Sequence, residues 1–138
     1  QAADQLRAVN EAVDLANKQL ADREDEKAKN VKKMEKEVQD KAKKLLYTLV
    51  PEPNIQGILR DPKVITSVAG SALGYLGEME GMPGVTEQTV LKQTMDAMKK
   101  ALVPINAFFE KEWPAYRKTV TESEPKLFQD YQPLKIDE

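Results

Sequence analysis

The fold is decided by one stretch of the chain, residues 31–49, which reads VKKMEKEVQDKAKKLLYTL. Its apolar residues recur every three or four positions, and this spacing places them on one side of an α-helix. The segment contains many good helix formers and stops before Pro51 and Pro53, which interrupt a helical hydrogen-bond ladder. We therefore predict a helix over about residues 26–49, with one stripe formed by Val31, Met34, Val38, Ala42, Leu45 and Leu49.

A similar stripe comes before this helix and predicts a first helix over about residues 3–21. It consists of Leu6, Val9, Val13, Ala16 and Leu20. Residues 22–26, DREDE, contain no apolar side chain, so we predict a solvated turn between the two helices. One uninterrupted helix from Ala3 to Leu49 is the alternative, because neither Gly nor Pro occurs between Ala21 and Glu26.

A third helix is predicted over residues 62–80. Asp61 can cap the free amides of its first turn, and Pro62 gives up no hydrogen bond at the first helical position. Residues 81–84, GMPG, end this helix because Gly and Pro continue a helix poorly. Its apolar stripe is formed by Ile65, Val68, Ala69, Ala72, Leu76 and Met79.

The fourth and longest helix is predicted over residues 86–121, with Thr86 as its cap. Pro104 and Pro114 interrupt its amide ladder, so we expect the helix to bend or break near Val103 and Trp113. Its stripe is formed by Leu91, Met95, Met98, Leu102, Ile105, Phe109, Trp113, Tyr116 and Val120.

Four amphipathic segments with no alternating strand pattern predict an all-α fold. Each stripe needs another stripe to cover it, so we expect an antiparallel up-and-down bundle of about four helices over residues 1–122. Residues 123–138 are then a C-terminal tail, which we expect to dock on the bundle through apolar side chains. These are Leu127, Phe128, Tyr131, Leu134 and Ile136.

The composition argues against an enzyme. The 138 residues include no Cys and no His, which removes thiol nucleophiles, imidazole bases and the usual zinc ligands. The carboxylate pairs Glu78/Glu80 and Glu110/Glu112 stand two residues apart on predicted helices, so their side chains point in different directions. We predict no catalytic residue, no metal and no cofactor; a small hydrolase that uses paired carboxylates is the alternative.

Charge and apolar run length restrict the partners. The net charge of -2 offers no overall attraction to nucleic acid, and no apolar run reaches the roughly 18 residues that a membrane span needs. We expect neither a nucleic-acid partner nor a transmembrane segment. Because a helical rhythm is already under way at Ala2 and Ala3, directly after Gln1, we also expect the chain to begin inside a longer protein.

Two features of the predicted helices are candidate binding sites. The helix over residues 26–49 is locally basic, and Lys32, Lys33 and Lys36 are candidates for binding an anion, although a solvated face explains them more simply. In the third helix, Gly70, Gly74 and Gly77 lie along one side. We interpret that side as a place of close helix packing, with a groove for a partner segment as the alternative.

The aromatic residues of the fourth helix and the tail are the interface candidates. They are Phe108, Phe109, Trp113, Tyr116, Phe128 and Tyr131. Core packing is the simpler interpretation of the helical ones. Because Phe108 and Phe109 are adjacent and cannot point the same way, we expect at least one of them to meet the tail or another domain.

Residues 44–131 resemble the helical region that follows the β-propeller in bacterial sortilin-like proteins, which are built on BNR or Asp-box repeats. The likeness is one of layout: a Lys-rich helix ending in Leu45, Leu46 and Leu49, a Gly and Pro loop, and a long helix from Thr86 to Phe109. The resemblance implies an exported bacterial protein, periplasmic, cell-surface or secreted. It also implies a non-enzymatic scaffolding domain that packs on its own propeller or on a second copy.

Overall fold

The computed structural model describes residues 1–53, 64–77 and 84–125. All regular structure in these ranges is helical, which confirms the predicted all-α bundle. The helices are α1 (Ala2–Leu20), α2 (Glu26–Leu49), α3 (Ile65–Gly77), α4 (Val85–Ala107), a π-helical turn (Phe108–Glu112) and α5 (Trp113–Glu122). Several predicted features lie outside the described residues: the start signals Asp61 and Pro62, residues 81–83 of the predicted stop, and the carboxylates Glu78 and Glu80.

The turn between α1 and α2 is confirmed, and the alternative of one long helix is wrong. Asp25 begins α2, and its Oδ1 accepts a hydrogen bond from the amide of Ala28 at 3.0 Å. From the second turn of α2, Lys32 Nζ donates to two backbone carbonyls of the connection, at 3.0 and 3.1 Å. The acidic stretch therefore supplies a cap, and Lys32 satisfies carbonyls that the end of α1 leaves free.

Contacts between α2 and the end of the fourth helix fix their relative direction. Thr119 Oγ1 lies 3.5 Å from the sulfur of Met34, while Lys41 Nζ donates to Glu112 Oε1. A later residue of α2 thus meets an earlier residue near α5, so the two helices run antiparallel. The hydrogen bond from Lys41 also lowers the pKa of Glu112. This ion pair ties the π-turn to α2.

The fourth helix continues through Pro104 and changes character only at residues 108–112. The predicted break near Val103 does not occur. Pro104 lies inside α4, where its ring is exposed, and the helix continues to Ala107. At the π-turn, the amide of Trp113 donates to the carbonyl of Phe108, five residues earlier. Pro114 follows directly in the first turn of α5, where a missing amide is tolerated. The change predicted near Trp113 is therefore a widened turn.

The beginning of the C-terminal tail is held against the α1–α2 turn. Ser123 is buried, and Arg23 Nη1 donates to its carbonyl at 2.7 Å and to the carbonyl of Glu124 at 3.2 Å. The rest of the tail lies outside the described residues, so its predicted docking stays a prediction. These hydrogen bonds join the α1–α2 turn to the end of α5, which lies 100 positions later in the sequence.

The hydrophobic core draws on only part of the bundle. It is formed by α1, α2 and the stretch from Ile105 to Tyr116, with no residue of α3 in the main cluster. The buried residues are Leu6, Val9, Val13, Leu20, Ala28, Val31, Val38, Ala42, Leu45, Leu46, Leu49, Ile105, Phe108 and Tyr116. In the part of the chain that the structure describes, α3 packs mainly on α4. The molecule therefore consists of a well-packed base and a helical pair, α3 with the first part of α4, beside it.

Candidate functional site

The aromatic residues predicted as an interface lie mostly in the base. Phe108 is fully buried and Tyr116 is 2% exposed, so neither presents a surface to a partner, and the prediction is corrected for these two. Phe109 and Trp113 are partly buried and pack on the core. The Phe108 and Phe109 rings meet edge to face, with centroids 5.4 Å apart. Adjacent phenylalanines can thus share one core, because edge-to-face contact suits diverging side chains. The tail candidates Phe128 and Tyr131 lie outside the described residues.

The hydroxyl of Tyr116 is buried without a hydrogen-bond partner among the described residues. Burial raises the pKa of Tyr116 to about 12, and the nearby charge of Glu35 acts in the same direction. Burial likewise raises the pKa of Glu35, to which the charge of Asp14 adds. The buried Tyr116 hydroxyl and the partly buried Glu35 carboxyl therefore lie in surroundings that disfavour negative charge.

Tyr116→Phe is expected to remove a specific loss of stability at high pH. Because the folded pKa is about 12 and the unfolded value 10.0, the unfolded chain ionises first. The stabilising contribution is therefore complete below pH 10 and is lost as the pH rises toward 12, by at most about 2 kcal/mol after solvent screening of the ring is allowed for. At neutral pH the variant should be as stable as the wild type or more so, by up to about 1 kcal/mol, since an unpaired buried hydroxyl is removed.

Urea unfolding across neutral to alkaline pH measures this difference, with the exposed Tyr75→Phe as the matched control. Only the difference between the proteins is interpreted, because every other pH-dependent contribution to the free energy of unfolding is common to them. Parallel loss of stability in the wild type and in Tyr116→Phe would contradict the assignment.

The lysines predicted to bind an anion do not form a common site. The ammonium of Lys32 is engaged by two backbone carbonyls at the α1–α2 turn, where it has a structural role. Lys33 and Lys36 are exposed on α2. The arrangement therefore favours the simpler interpretation, a solvated helix face with one capping lysine.

The most unusual surface in the described structure is an apolar row on α4. Leu91, Met95, Met98 and Leu102 follow one another at steps of four, three and four, which aligns them along one side of the helix. Their periodicity predicts burial in the core, yet each of these side chains is between 37% and 54% exposed. We call these four residues the α4 stripe. Its predicted burial is wrong, because the first buried member of the core cluster on the fourth helix is Ile105.

A different side of α4 faces the bundle. Val90, Thr94, Ala97 and Ala101 are partly buried, whereas each residue of the α4 stripe comes one position later and turns about 100° away. Between α3 and α4 lies a groove of about 390 Å³. It is lined by Ser67, Val68, Ser71, Ala72, Val90, Gln93 and Thr94. The small residues of α3 thus cover the neighbouring side of α4 and leave the stripe uncovered by the described residues.

The glycines of α3 are not used for close helix packing. A β-carbon added at Gly70, Gly74 or Gly77 would meet no described atom within 4 Å, so the predicted close approach is wrong. No charged residue occurs in α3. Two large side chains of α3, Leu73 and Tyr75, are also exposed. The α3–α4 pair therefore presents an uncharged, open surface on one helix and an apolar row on the other.

Lysines border the α4 stripe. Lys92 follows Leu91 and Lys99 follows Met98, so both lie about 100° around the helix from the residues they follow. Both are exposed, and neither forms an ion pair with a described residue. Residues 91–102 carry Lys92, Lys99 and Lys100 against Asp96 alone. The stripe therefore has a basic border within a chain of net charge -2.

None of the helices that the structure describes is long and apolar enough to cross a lipid bilayer. Over residues 1–53, 64–77 and 84–125, no three Asp or Glu side chains come together as a metal site requires. Comparison of the chain with protein-family models, curated proteins and solved structures gave no match.

Proposed function

We propose that this chain is a non-enzymatic interaction domain, which holds a helical segment of another protein on the α4 stripe. The observation that carries this proposal is the exposure of four large apolar side chains in one row. Contiguous exposed apolar surface on a folded domain marks a contact site more often than isolated apolar residues do. The base formed by α1, α2 and residues 105–122 then serves to present α4.

The spacing of the α4 stripe matches one way in which proteins recognise helices. Steps of four, three and four residues are the a and d positions of a heptad pattern, whose side chains interdigitate with those of a second helix. Two of the four residues are Met95 and Met98. Methionine side chains adapt to different apolar surfaces and are common where a domain binds amphipathic helices. An amphipathic helix is therefore the partner that fits this surface best.

The wider setting is proposed from the resemblance alone. We propose that the domain belongs to an exported bacterial sortilin-like protein, as the layout of residues 44–131 implies. The alternative function, binding of an anion, lipid or peptide through Lys32, Lys33 and Lys36, is weakened because Lys32 is engaged within the fold. A reading frame in which propeller repeats precede Gln1 would support the sortilin-like setting, and one with none would contradict it.

A peptide-binding measurement tests the proposed function. The probe is a fluorescent synthetic helix of about four heptads, with leucine at the a and d positions and glutamine beside them, kept below its self-association concentration. We expect the full chain to bind it, and Leu91→Gln with Met95→Gln to weaken binding at least about tenfold, because roughly 1.4 kcal/mol of apolar contact suffices for that loss. The changed side chains are exposed, so the variant should keep the wild-type helical circular dichroism.

Leu15→Gln is the matched control, since Leu15 is a similarly exposed leucine on α1, away from the stripe. It should leave peptide binding unchanged. If the stripe variant binds the probe as tightly as the wild type, or if the wild type binds no amphipathic helix of any flanking charge, the proposed function is wrong.

A further inference from the structure

We propose that the helix bound by the α4 stripe is acidic along its flank, so that its carboxylates meet Lys92 and Lys99. This inference rests on the proposed function and names the chemistry of its partner. It comes from the charges that border the stripe, which are independent of the apolar residues that form it.

The position of the two lysines carries the argument. In a heptad pattern with Leu91 and Met98 at d, and Met95 and Leu102 at a, Lys92 and Lys99 both occupy e positions. Side chains at e and g flank the apolar seam and select partners by charge. Neither ammonium is neutralised by an ion pair with a described residue. A partner with Glu or Asp beside its apolar row would neutralise both, whereas a basic one would be repelled.

The same charges argue against a second copy of this chain. In an antiparallel pair of α4 helices, e positions face each other, so Lys92 and Lys99 would meet lysines. In a parallel pair, each g residue meets the e residue five positions later on the partner helix, so Lys92 would face Glu87 and Lys99 would face Thr94. The antiparallel pair therefore leaves both lysines unpaired, and the parallel pair leaves Lys99 unpaired.

The chain's own tail is also a poor match by length. The α4 stripe spans eleven helical steps from Leu91 to Leu102, or about 16 Å. Between Pro125 and Pro133 the tail has seven residues, which as a helix would extend only about 10 Å. An amphipathic helix from another protein is therefore the occupant to which this inference commits.

Two further peptides test the inference on the full chain. They share the leucine positions of the neutral probe and carry either glutamate or lysine at the flanking positions. We expect the glutamate peptide to bind the wild type at least about tenfold more tightly than the lysine peptide at low salt, with the gap narrowing as salt rises. Lys92→Glu with Lys99→Glu should reverse this preference while the neutral peptide binds as before.

The control variant is Lys33→Glu with Lys36→Glu, which reverses two exposed lysines on α2 and should leave the preference intact. Equal binding of the glutamate and lysine peptides, or tighter binding of the lysine peptide, overturns the acidic partner but leaves the proposed function standing. Concentration-dependent dimerisation that Met95→Gln abolishes would assign the stripe to a second copy instead. Binding seen only after truncation at Pro125 would assign it to the tail.

Discussion

Phe108→Ala lowers the free energy of unfolding by about 3–5 kcal/mol, the range typical of removing a buried aromatic ring from a core. Phe108 is fully buried at the π-turn, where its carbonyl also accepts the amide of Trp113. The substitution removes the edge-to-face contact with Phe109 and opens a cavity between α2 and the fourth helix. Because a small domain has only about 5–15 kcal/mol of stability in total, the variant should be close to unfolding. Urea unfolding followed by circular dichroism measures the loss.

Phe109→Ala is the control for this prediction. It removes the same ring pair from the other side, but Phe109 is only partly buried, so less apolar surface returns to water. We expect a clearly smaller destabilisation than for Phe108→Ala. If the two variants lose equal stability, or Phe109→Ala loses more, Phe108 is not the more deeply buried of the two rings.

Ile105→Ala is expected to lower the free energy of unfolding by about 2–5 kcal/mol, whereas Leu102→Ala one turn earlier should change it by less than about 1 kcal/mol. Ile105 is 1% exposed and belongs to the core cluster; Leu102 belongs to the α4 stripe and is 40% exposed. Both substitutions remove a branched aliphatic side chain from the same helix. The comparison therefore isolates burial from helix propensity.

The same urea experiment decides between two views of α4. A large effect at Ile105 and a small one at Leu102 places the edge of the core between these residues. Similar losses at both positions would mean that the stripe is packed in the folded monomer, which contradicts its role as an open binding surface. Met95→Ala, in the middle of the stripe, should behave like Leu102→Ala.

The elements of this fold follow from local patterns that the sequence carries in full. Helices α1 and α2 are defined by stripes that all reach the core, and residues 22–26 break them because they have no apolar side chain to continue the row. The N-cap at Asp25, whose carboxylate accepts the amide hydrogen of Ala28, is a signal of the same local kind. What could not be read locally is the role of Lys32, which binds carbonyls nine and eleven residues earlier.

The exposure of the α4 stripe could not be predicted from hydrophobic periodicity. Periodicity identifies Leu91, Met95, Met98 and Leu102 as one face of a helix, but it cannot show which neighbour covers that face. In the fold, α3 offers α4 mainly Ser, Ala and Val, and it covers the adjacent face instead. These side chains are too small to bury a row of large ones, and Leu73 and Tyr75 of α3 are themselves exposed.

Core packing, the simpler interpretation of the helical aromatic residues, is confirmed for Phe108 and Tyr116, while the alternative of an interface is wrong for these two. The side chains of Phe108 and Phe109 diverge, as expected for adjacent residues. At the π-turn, however, both contact the same core. A π-turn has no simple sequence signature beyond a nearby proline such as Pro114, which cannot donate to the preceding turn. The exposed apolar row that could serve as an interface lies earlier on the fourth helix, in the α4 stripe.

Methionine oxidation reports whether the α4 stripe is exposed in the free, folded chain. Peroxide treatment of the folded chain, read by mass spectrometry, compares Met95 and Met98 with Met34, which packs against the core and lies beside Thr119. Exposed thioethers are oxidised first. We predict that Met95 and Met98 oxidise several times faster than Met34 and that this gap closes when the chain is unfolded in urea. Protection of Met95 and Met98 equal to that of Met34 in the folded, monomeric chain would mean that the α4 stripe is buried and cannot be a binding surface.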